Sequence, residues 1–243
     1  MLYKARRGQV SYGQAIGIVL MDTFTPFIPG DVGNASTYPF PVRFHTVPRL
    51  TSERVLAHDM SCIDGVIQAA KTLERDGVKA ITGDCGFMAI YHKQVANEVT
   101  VPVFLSSLLQ VPFLSSMLSP VHKVGIITAD ASSLDSSVLK AVGIHKDIPI
   151  TIRGLEHCES FRRSMLKEEG ILDSEKIEIE VVTTAQKMVE EDPAVKIILL
   201  ECSDLPPYGA AVQEVVGLPV FDFITMIHFV YMGLVKRRFT GFM

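Results

Sequence analysis

Two cysteines occupy equivalent places in a repeated stretch of this 243-residue chain. Residues 78–104 and 195–221 align without gaps at a shift of 117 positions, with ten identities in 27 positions. Segments of average composition would share about one or two. The alignment pairs Cys85 with Cys202, and each follows a short apolar run that is typical of a buried strand. Each half of the chain therefore contributes one thiol at a strand end.

Paired thiols at strand ends are suited to proton transfer. Ligands of parallel-sheet proteins bind beyond the carboxyl ends of the strands, and a thiol at a helix N-terminus can have its pKa lowered to about 3.5–7.5. If Cys85 and Cys202 face one cleft, one thiolate can remove a proton next to a carboxyl or amide group while the other thiol returns one to the opposite face. Asp84 and Glu201, directly before the cysteines, are placed to tune the two protonation states.

The elements that must position the thiols follow from the pattern of apolar residues. Short β-branched runs such as 15–21 (AIGIVLM) and 123–128 (KVGIIT) alternate with helical patterns, which predicts parallel sheets with crossover helices. These two opening strands also match each other, at a shift of 108. Residues 51–76 are predicted to form one helix whose apolar face comprises Leu56, Met60, Ile63, Ile67 and Ala70. Residues 23–41, with four prolines, are predicted to be a long loop.

The predicted fold class is α/β, with two tandem, pseudo-symmetric, flavodoxin-like halves, each built on a parallel sheet. The active site is expected in the cleft between the halves. We expect residues 1–104 plus 223–243 to form one domain and residues 105–222 the other.

Composition excludes several classes of protein. A net charge of −4 offers no basic field for nucleic acid. Four cysteines without a CxxC pair give no signal for zinc or for a secreted disulfide scaffold, so no metal site is expected. The uncharged stretch 101–121 contains three prolines and five serines and is a poor membrane span. The run 15–21 lacks a cleavage pattern, so we expect a soluble, cytoplasmic protein without a membrane partner.

The motifs TGDCGF (82–87) and LECSDLPPY (200–208) resemble the aspartate/glutamate/hydantoin racemase superfamily. The loop PGDVGN (29–34) is similar to one in a less characterised branch of it. The resemblance covers nearly the whole chain. It implies an enzyme without cofactors that holds a small carboxylate or amide substrate between Cys85 and Cys202, and it implies a homodimer. The substrate carboxylate is then held by backbone N–H groups and hydroxyls.

The sequence departs from the pattern of glutamate racemases after each cysteine. Those enzymes typically have Asn-Thr after the first cysteine and Thr-His after the second. Here Gly86-Phe87 and Ser203-Asp204 stand in these places. The departure favours a substrate other than free glutamate, and Phe87 favours a cyclic or less polar one.

Position and resemblance together give a set of candidate substrate-binding residues at the ends of the predicted strands and in the long loop. They are Asp22, Thr23, Asn34, Gly86, Phe87, Thr128, Ser132, Ser133, Ser203 and Asp204. Cys85 and Cys202 are the predicted catalytic pair. Cys62 and Cys158 have no equivalent in the repeat and are expected to be inert.

The leading functional hypothesis is an isomerase, namely a cofactor-independent racemase or epimerase of an amino acid or amino-acid derivative. One alternative is a related carboxylate isomerase or decarboxylase that uses a single cysteine. Another is a non-catalytic binder of small carboxylates in which the thiols are structural.

Overall fold

The chain forms two four-stranded parallel sheets. A computed structural model describes residues 2–243. The strand orders are β2-β1-β3-β4 and β6-β5-β7-β8, so both sheets share one topology and the predicted fold class is confirmed. The strands are β1 Ile16–Leu20, β2 Val42–Thr46, β3 Ala80–Gly83, β4 Val103–Phe104, β5 Lys123–Thr128, β6 Ile150–Gly154, β7 Val195–Leu200 and β8 Val220–Phe221.

Helices cover the faces of both sheets. They are α1 Ser52–Leu56, α2 Ile63–Arg75, α3 His92–Glu98, α4 Val111–Ser116, α5 Ser136–Ala141, α6 Glu159–Phe161, α7 Ser174–Glu191, α8 Gly209–Val216 and α9 Phe223–Leu234. Gly77 and Gly217 follow α2 and α8 with φ of 95° and 64°. Left-handed backbone favours glycine, which is why the sequence marks both helix ends.

Two helices cross between the halves. The helix α9, at the end of the chain, packs Phe223, Met226 and Ile227 into the same core as Ile16 and Ile18 of β1. The helix α4 contacts β5 of the second sheet. The division into residues 1–104 plus 223–243 and residues 105–222 stays a prediction. Within residues 2–243, no helix combines the length and the apolar character needed to cross a membrane.

The prediction of one helix over residues 51–76 is wrong. The chain breaks between α1 and α2, where His58 has a φ of 55° and Asp59 accepts a hydrogen bond from the backbone N–H of Ser61. Because of this break, Met60 is 42% exposed instead of lying on a buried face. The buried face of α2 comprises Val66, Ala69, Ala70 and Leu73.

Candidate active site

In each sheet one strand is followed by a cysteine, and the two cysteines line the same cavity. Cys85 follows β3, Cys202 follows β7, and both line a cavity of about 30 Å³. The cysteines are 9% and 6% exposed and are free thiols. A volume of this size holds about two water molecules, so the cavity is narrow in this conformation.

The cavity wall combines apolar side chains with a few polar groups. Its remaining residues are Met21, Ser52, Leu56, Phe87, Ala129, Met165, Leu166, Glu201, Ser203 and Asp204. Met165 and Leu166 belong to a π-helical turn, Arg162–Leu166, that follows α6. Such turns are frequent at functional sites, and no signal in the sequence predicted this one.

Burial and neighbouring carboxyl groups favour the protonated form of both thiols. Burial raises the pKa of Cys85 well above its ordinary value, and the charges of Glu201 and Asp84 raise it further. Burial likewise raises the pKa of Cys202, with Asp204 as the largest charge effect. The backbone N–H groups of Phe87 and Asp204 act in the opposite direction because they stabilise the two thiolates.

Cys202 has a hydrogen-bond acceptor for its thiol. The S–H group donates to Oδ2 of Asp204 at 3.3 Å. Asp204 is in turn hydrogen-bonded to Asp31, a 2% exposed residue of the long loop. Burial and the adjacent Asp204 raise the pKa of Asp31 well above its ordinary value, which favours its protonated form. The pair therefore stabilises Cys202 as a thiol.

Two further acids precede the cysteines. Asp84 accepts hydrogen bonds from the backbone N–H of Met21 at 3.0 Å through both oxygens. Glu201 accepts one from the hydroxyl of Thr128 at 2.8 Å. Burial raises the pKa of Asp84 to about 8 and that of Glu201 to about 7. Glu201 therefore exchanges a proton near neutral pH.

Five of the predicted substrate-binding residues lie at this cavity or directly against its wall. Phe87, Ser203 and Asp204 line it. Gly86 packs against Glu201, and Thr128 reaches the cavity only through its hydrogen bond to Glu201. The hydroxyl of Ser203 donates to the backbone carbonyl of Asp84, so it ties the two strand ends together instead of facing a ligand.

The other five predicted binding residues do not line the cavity in the described part of the chain. Asp22 is exposed and accepts a hydrogen bond from the backbone N–H of Arg49 at 2.8 Å. The hydroxyl oxygen of Thr23 is buried without a partner among residues 2–243. Asn34 orders its own loop by bonding to the carbonyl of Phe27 and to Ser36. The hydroxyls of Ser132 and Ser133 both bond to Asp130, which makes them a local turn.

Solved structures share this fold. Allantoin racemase from Pseudomonas fluorescens matches with a TM-score of 0.61 and 17% identity, over 91% of this chain and 93% of that one. Unliganded arylmalonate decarboxylase matches with a TM-score of 0.58 and 15% sequence identity, over 93% of this chain and 94% of that one. Glutamate racemase from Francisella tularensis matches with a TM-score of 0.55 and 18% sequence identity, over 93% of this chain and 85% of that one. These structures, which are named racemases and a decarboxylase, share the two-sheet α/β fold of this chain.

Proteins similar in sequence identify the family to which the chain belongs. A dimethylsulfoniopropionate lyase of Durusdinium sp. clade D is 32% identical over 230 residues, which is 92% of this chain and 76% of that protein. Dimethylsulfoniopropionate lyase 3 of Emiliania huxleyi is 31% identical over 229 residues, which is 87% of this chain but 57% of that protein. The chain belongs to the dimethylsulfoniopropionate lyase family. A scan against protein-family models gave no match.

These relatives correct the predicted reaction class. They are named lyases, so the prediction of an isomerase is wrong. The physical reason is that paired thiols define a way to move a proton next to a carboxyl group but do not determine the fate of the carbanion. After the proton is removed, the same carbanion can be reprotonated or can expel a leaving group.

Proposed function

We propose that this chain is a lyase that breaks the carbon–sulfur bond of dimethylsulfoniopropionate or a closely related β-sulfonium carboxylate. The names of its relatives support this substrate class, and the similarity extends over 92% of the chain. The structural neighbours support a small carboxylate as the more general substrate.

The observation that carries the proposal is the set of acidic residues around the two thiols. Glu201 and Asp204 line the cavity, Asp31 is hydrogen-bonded to Asp204, and Asp84 directly precedes Cys85. No Lys or Arg belongs to the described lining. A sulfonium group is a permanent cation, which favours the ionised form of neighbouring carboxyl groups and is stabilised by it in a poorly solvated site. A dicarboxylate such as free aspartate would be repelled. Met21, Phe87 and Met165 supply apolar and polarisable contacts suited to methyl groups on sulfur.

The reaction is a β-elimination. A base removes a proton from the carbon next to the carboxylate, and the C–H electron pair becomes the new carbon–carbon double bond. The C–S bond breaks, its electron pair stays on sulfur, and dimethyl sulfide and acrylate result. Atoms and charges balance without an added oxidant, reductant or cofactor.

The two thiols take different parts in this proposal. The S–H group of Cys202 donates a hydrogen bond to Asp204, so Cys202 stays a thiol and does not act as the base. Cys85 is the proposed base. A homodimer and a cytoplasmic location stay predictions of the sequence analysis.

The test is to incubate purified protein with dimethylsulfoniopropionate and to measure dimethyl sulfide by gas chromatography and acrylate by NMR. Both products are expected in equal amounts. The cationic analogue 3-(trimethylammonio)propanoate should inhibit, whereas its neutral isostere 4,4-dimethylpentanoate should inhibit far less. Release of carbon dioxide would instead support the decarboxylase alternative, and binding of substrate without any product would support the binder. Absence of dimethyl sulfide from folded protein contradicts the proposal.

A further inference from the structure

One oxygen of Glu201 is left unpaired at the cavity. Within residues 2–243, Oε1 of this 0% exposed residue has no hydrogen-bond partner, while Oε2 is held by Thr128. A buried acceptor without a partner is costly, because it has lost its water without replacement. A fold retains such an atom where the atom has another use.

Glu201 reaches across from the second half to the first. Oε1 lies against Gly86, where an added Cβ would collide with it. Gly86 directly follows Cys85, so the absence of a side chain there lets the carboxyl group approach the peptide next to that thiol. Among the charges that act on Cys85, that of Glu201 has the largest effect.

The internal repeat provides a comparison within the same molecule. Asp84 stands at the position equivalent to Glu201 and is one methylene shorter. Both of its oxygens accept from the backbone of Met21, so it joins β3 to the end of β1. The longer side chain of Glu201 extends instead to the wall of the cavity. The equivalent acids therefore differ, because only Glu201 has an unpaired oxygen, which lies against Gly86, the residue after the opposite thiol.

We propose that Glu201 is the proton acceptor for Cys85 and acts on the substrate through that thiol. The inference rests on the proposed lyase function, because it names the group that generates the base. Glu201 then acts through Cys85 as a positioning residue, and its unpaired Oε1 is the atom that accepts the thiol proton.

Each step balances. The S–H bond of Cys85 breaks and an O–H bond forms on Glu201, which leaves a thiolate and a neutral carboxyl group. The thiolate then takes the proton from the substrate carbon, and the C–H electron pair forms the double bond as the C–S bond breaks. Cys85 is again a thiol, and Glu201 loses its proton to solvent when the site opens.

Other titratable groups face Glu201 and Cys85 from the surrounding elements. Those of the described chain that interact directly with Cys85 or Glu201 are Asp84, Tyr91, Cys202 and Asp204. Asp31, Glu168 and Tyr208 interact with Asp204, and His58 stacks on Phe87. Those with a shifted pKa are all shifted upward, mainly by burial. A pH profile of the intact enzyme therefore contains several ionisations, and single-residue variants are needed to assign one of them.

The first experiment compares Glu201→Gln with the unchanged protein as a function of pH. The unchanged protein should gain kcat/KM as pH rises through about 7, where Glu201 ionises. Glu201→Gln should lack this rise, and its kcat should be about 10²–10⁴-fold lower. A variant that keeps both the rate and the rise overturns the proposal.

The second experiment measures the thiol itself. Iodoacetamide alkylation of Cys85 is followed by mass spectrometry across pH in a Cys202→Ala background. Removing the negative charge of Glu201 should move the alkylation midpoint of Cys85 to lower pH, because a neighbouring carboxylate disfavours a thiolate. For Glu201→Gln we therefore expect Cys85 to react faster with iodoacetamide while turnover of the substrate becomes slower. An unchanged midpoint overturns the proposal, since a loss of activity alone would then be structural.

Two further variants keep the inference testable if Glu201→Gln does not fold. Thr128→Val removes the hydroxyl that lowers the pKa of Glu201, so the rise in kcat/KM should move to higher pH. Asp84→Asn is the matched control from the other half, and its profile should keep the rise near pH 7. An unmoved profile in Thr128→Val contradicts the assignment.

The outcomes separate this inference from the function on which it rests. If folded protein releases no dimethyl sulfide, the proposed function fails. The alkylation experiment still decides whether Glu201 controls the Cys85 thiol, because it needs no turnover.

Discussion

At the scale of single residues, the two thiols have different surroundings although the repeat places them equivalently. Asp204, two residues after Cys202, accepts a hydrogen bond from its S–H group at 3.3 Å. The equivalent residue after Cys85 is Phe87, a buried ring that lines the cavity. A racemase that works in both directions needs two interchangeable thiols, whereas an elimination needs one base. The asymmetry agrees with a one-directional reaction.

Replacing the cysteines singly tests this difference. Cys85→Ala should lower kcat about 10²–10⁴-fold, because it removes the proposed base. Cys202→Ala should cost less, since that thiol only donates a hydrogen bond. The measurement is dimethyl sulfide release at saturating substrate. Cys158→Ala is the control, because Cys158 is half-buried outside the cavity and should leave the rate unchanged. Equal losses for Cys85→Ala and Cys202→Ala would contradict unequal roles.

The sequence was sufficient to select the cysteines but not their partners. Cys85 and Cys202 stand out because one repeat contains both. Asp31 lies in a motif that the sequence analysis noted, yet nothing local shows that this loop crosses to Asp204. The hydroxyls of Ser132 and Ser133 were selected for their place at a strand end, but the adjacent Asp130 binds both. Such competition between neighbours depends on side-chain geometry that spacing does not encode.

At the scale of elements, two segments contact each other across the cleft beside the cavity: the loop after β1 and the region of the π-helical turn. The loop after β1 donates the backbone N–H of Phe24 to Glu168 at 3.0 Å and the hydroxyl of Thr25 to the carbonyl of Ser164 at 3.4 Å. Ser164 belongs to the π-helical turn that supplies Met165 and Leu166 to the cavity. Because the cavity holds only about two water molecules, we expect these contacts to open when a molecule of the size of the proposed substrate enters.

Weakening this contact should loosen both segments together. Glu168→Ala removes the acceptor for Phe24, so hydrogen exchange should become faster in residues 22–28 as well as in residues 159–170. The matched control is Glu169→Ala, whose carboxylate binds Arg163 within the same segment at 2.8 Å. The control should affect only residues 159–170. Faster exchange in residues 22–28 for both variants, or for neither, would contradict a direct link through Glu168.

Periodicity predicted the regular elements better than the ones beside the cavity. In the long helix α7, the spacing of Ile177, Val181, Ala185 and Met188 indicates one helix face, and all four are buried. The break at His58 interrupts a helical pattern and brings its ring nitrogen Nε2 within 2.9 Å of the Ser133 carbonyl in the other half. Tertiary contacts of this kind override local spacing, so the predicted helix over residues 51–76 was too long.

At the scale of the whole molecule, buried acids link stability to pH. Burial raises the pKa of Asp84 to about 8 and that of Glu201 to about 7, whereas unfolded Asp and Glu ionise near about 4. The folded chain therefore keeps protons that the unfolded chain releases. The free energy of unfolding should be greatest at and below about pH 4 with respect to these groups and should fall as pH rises to about 8. Each group contributes up to about 1.4 kcal/mol per pH unit.

Urea unfolding at pH 5, 6, 7 and 8 measures this dependence. The free energy of unfolding should decrease along the series for the unchanged protein. Asp84→Asn should show a shallower decrease, because an amide does not ionise. A free energy that is constant or increases over this range would mean that the carboxyl groups are already ionised in the folded state.

The crossing of α9 back to the first sheet has a consequence for synthesis on the ribosome. Residue 104 completes β4 and with it the first sheet, but the helix that covers Ile16 and Ile18 begins only at residue 223. At translation rates of about 5–20 residues per second, the intervening 118 residues take about 6–24 s to synthesise. Throughout that time the nascent first half exposes an apolar sheet face. Its binding to chaperones should end only as the last helix emerges from the exit tunnel.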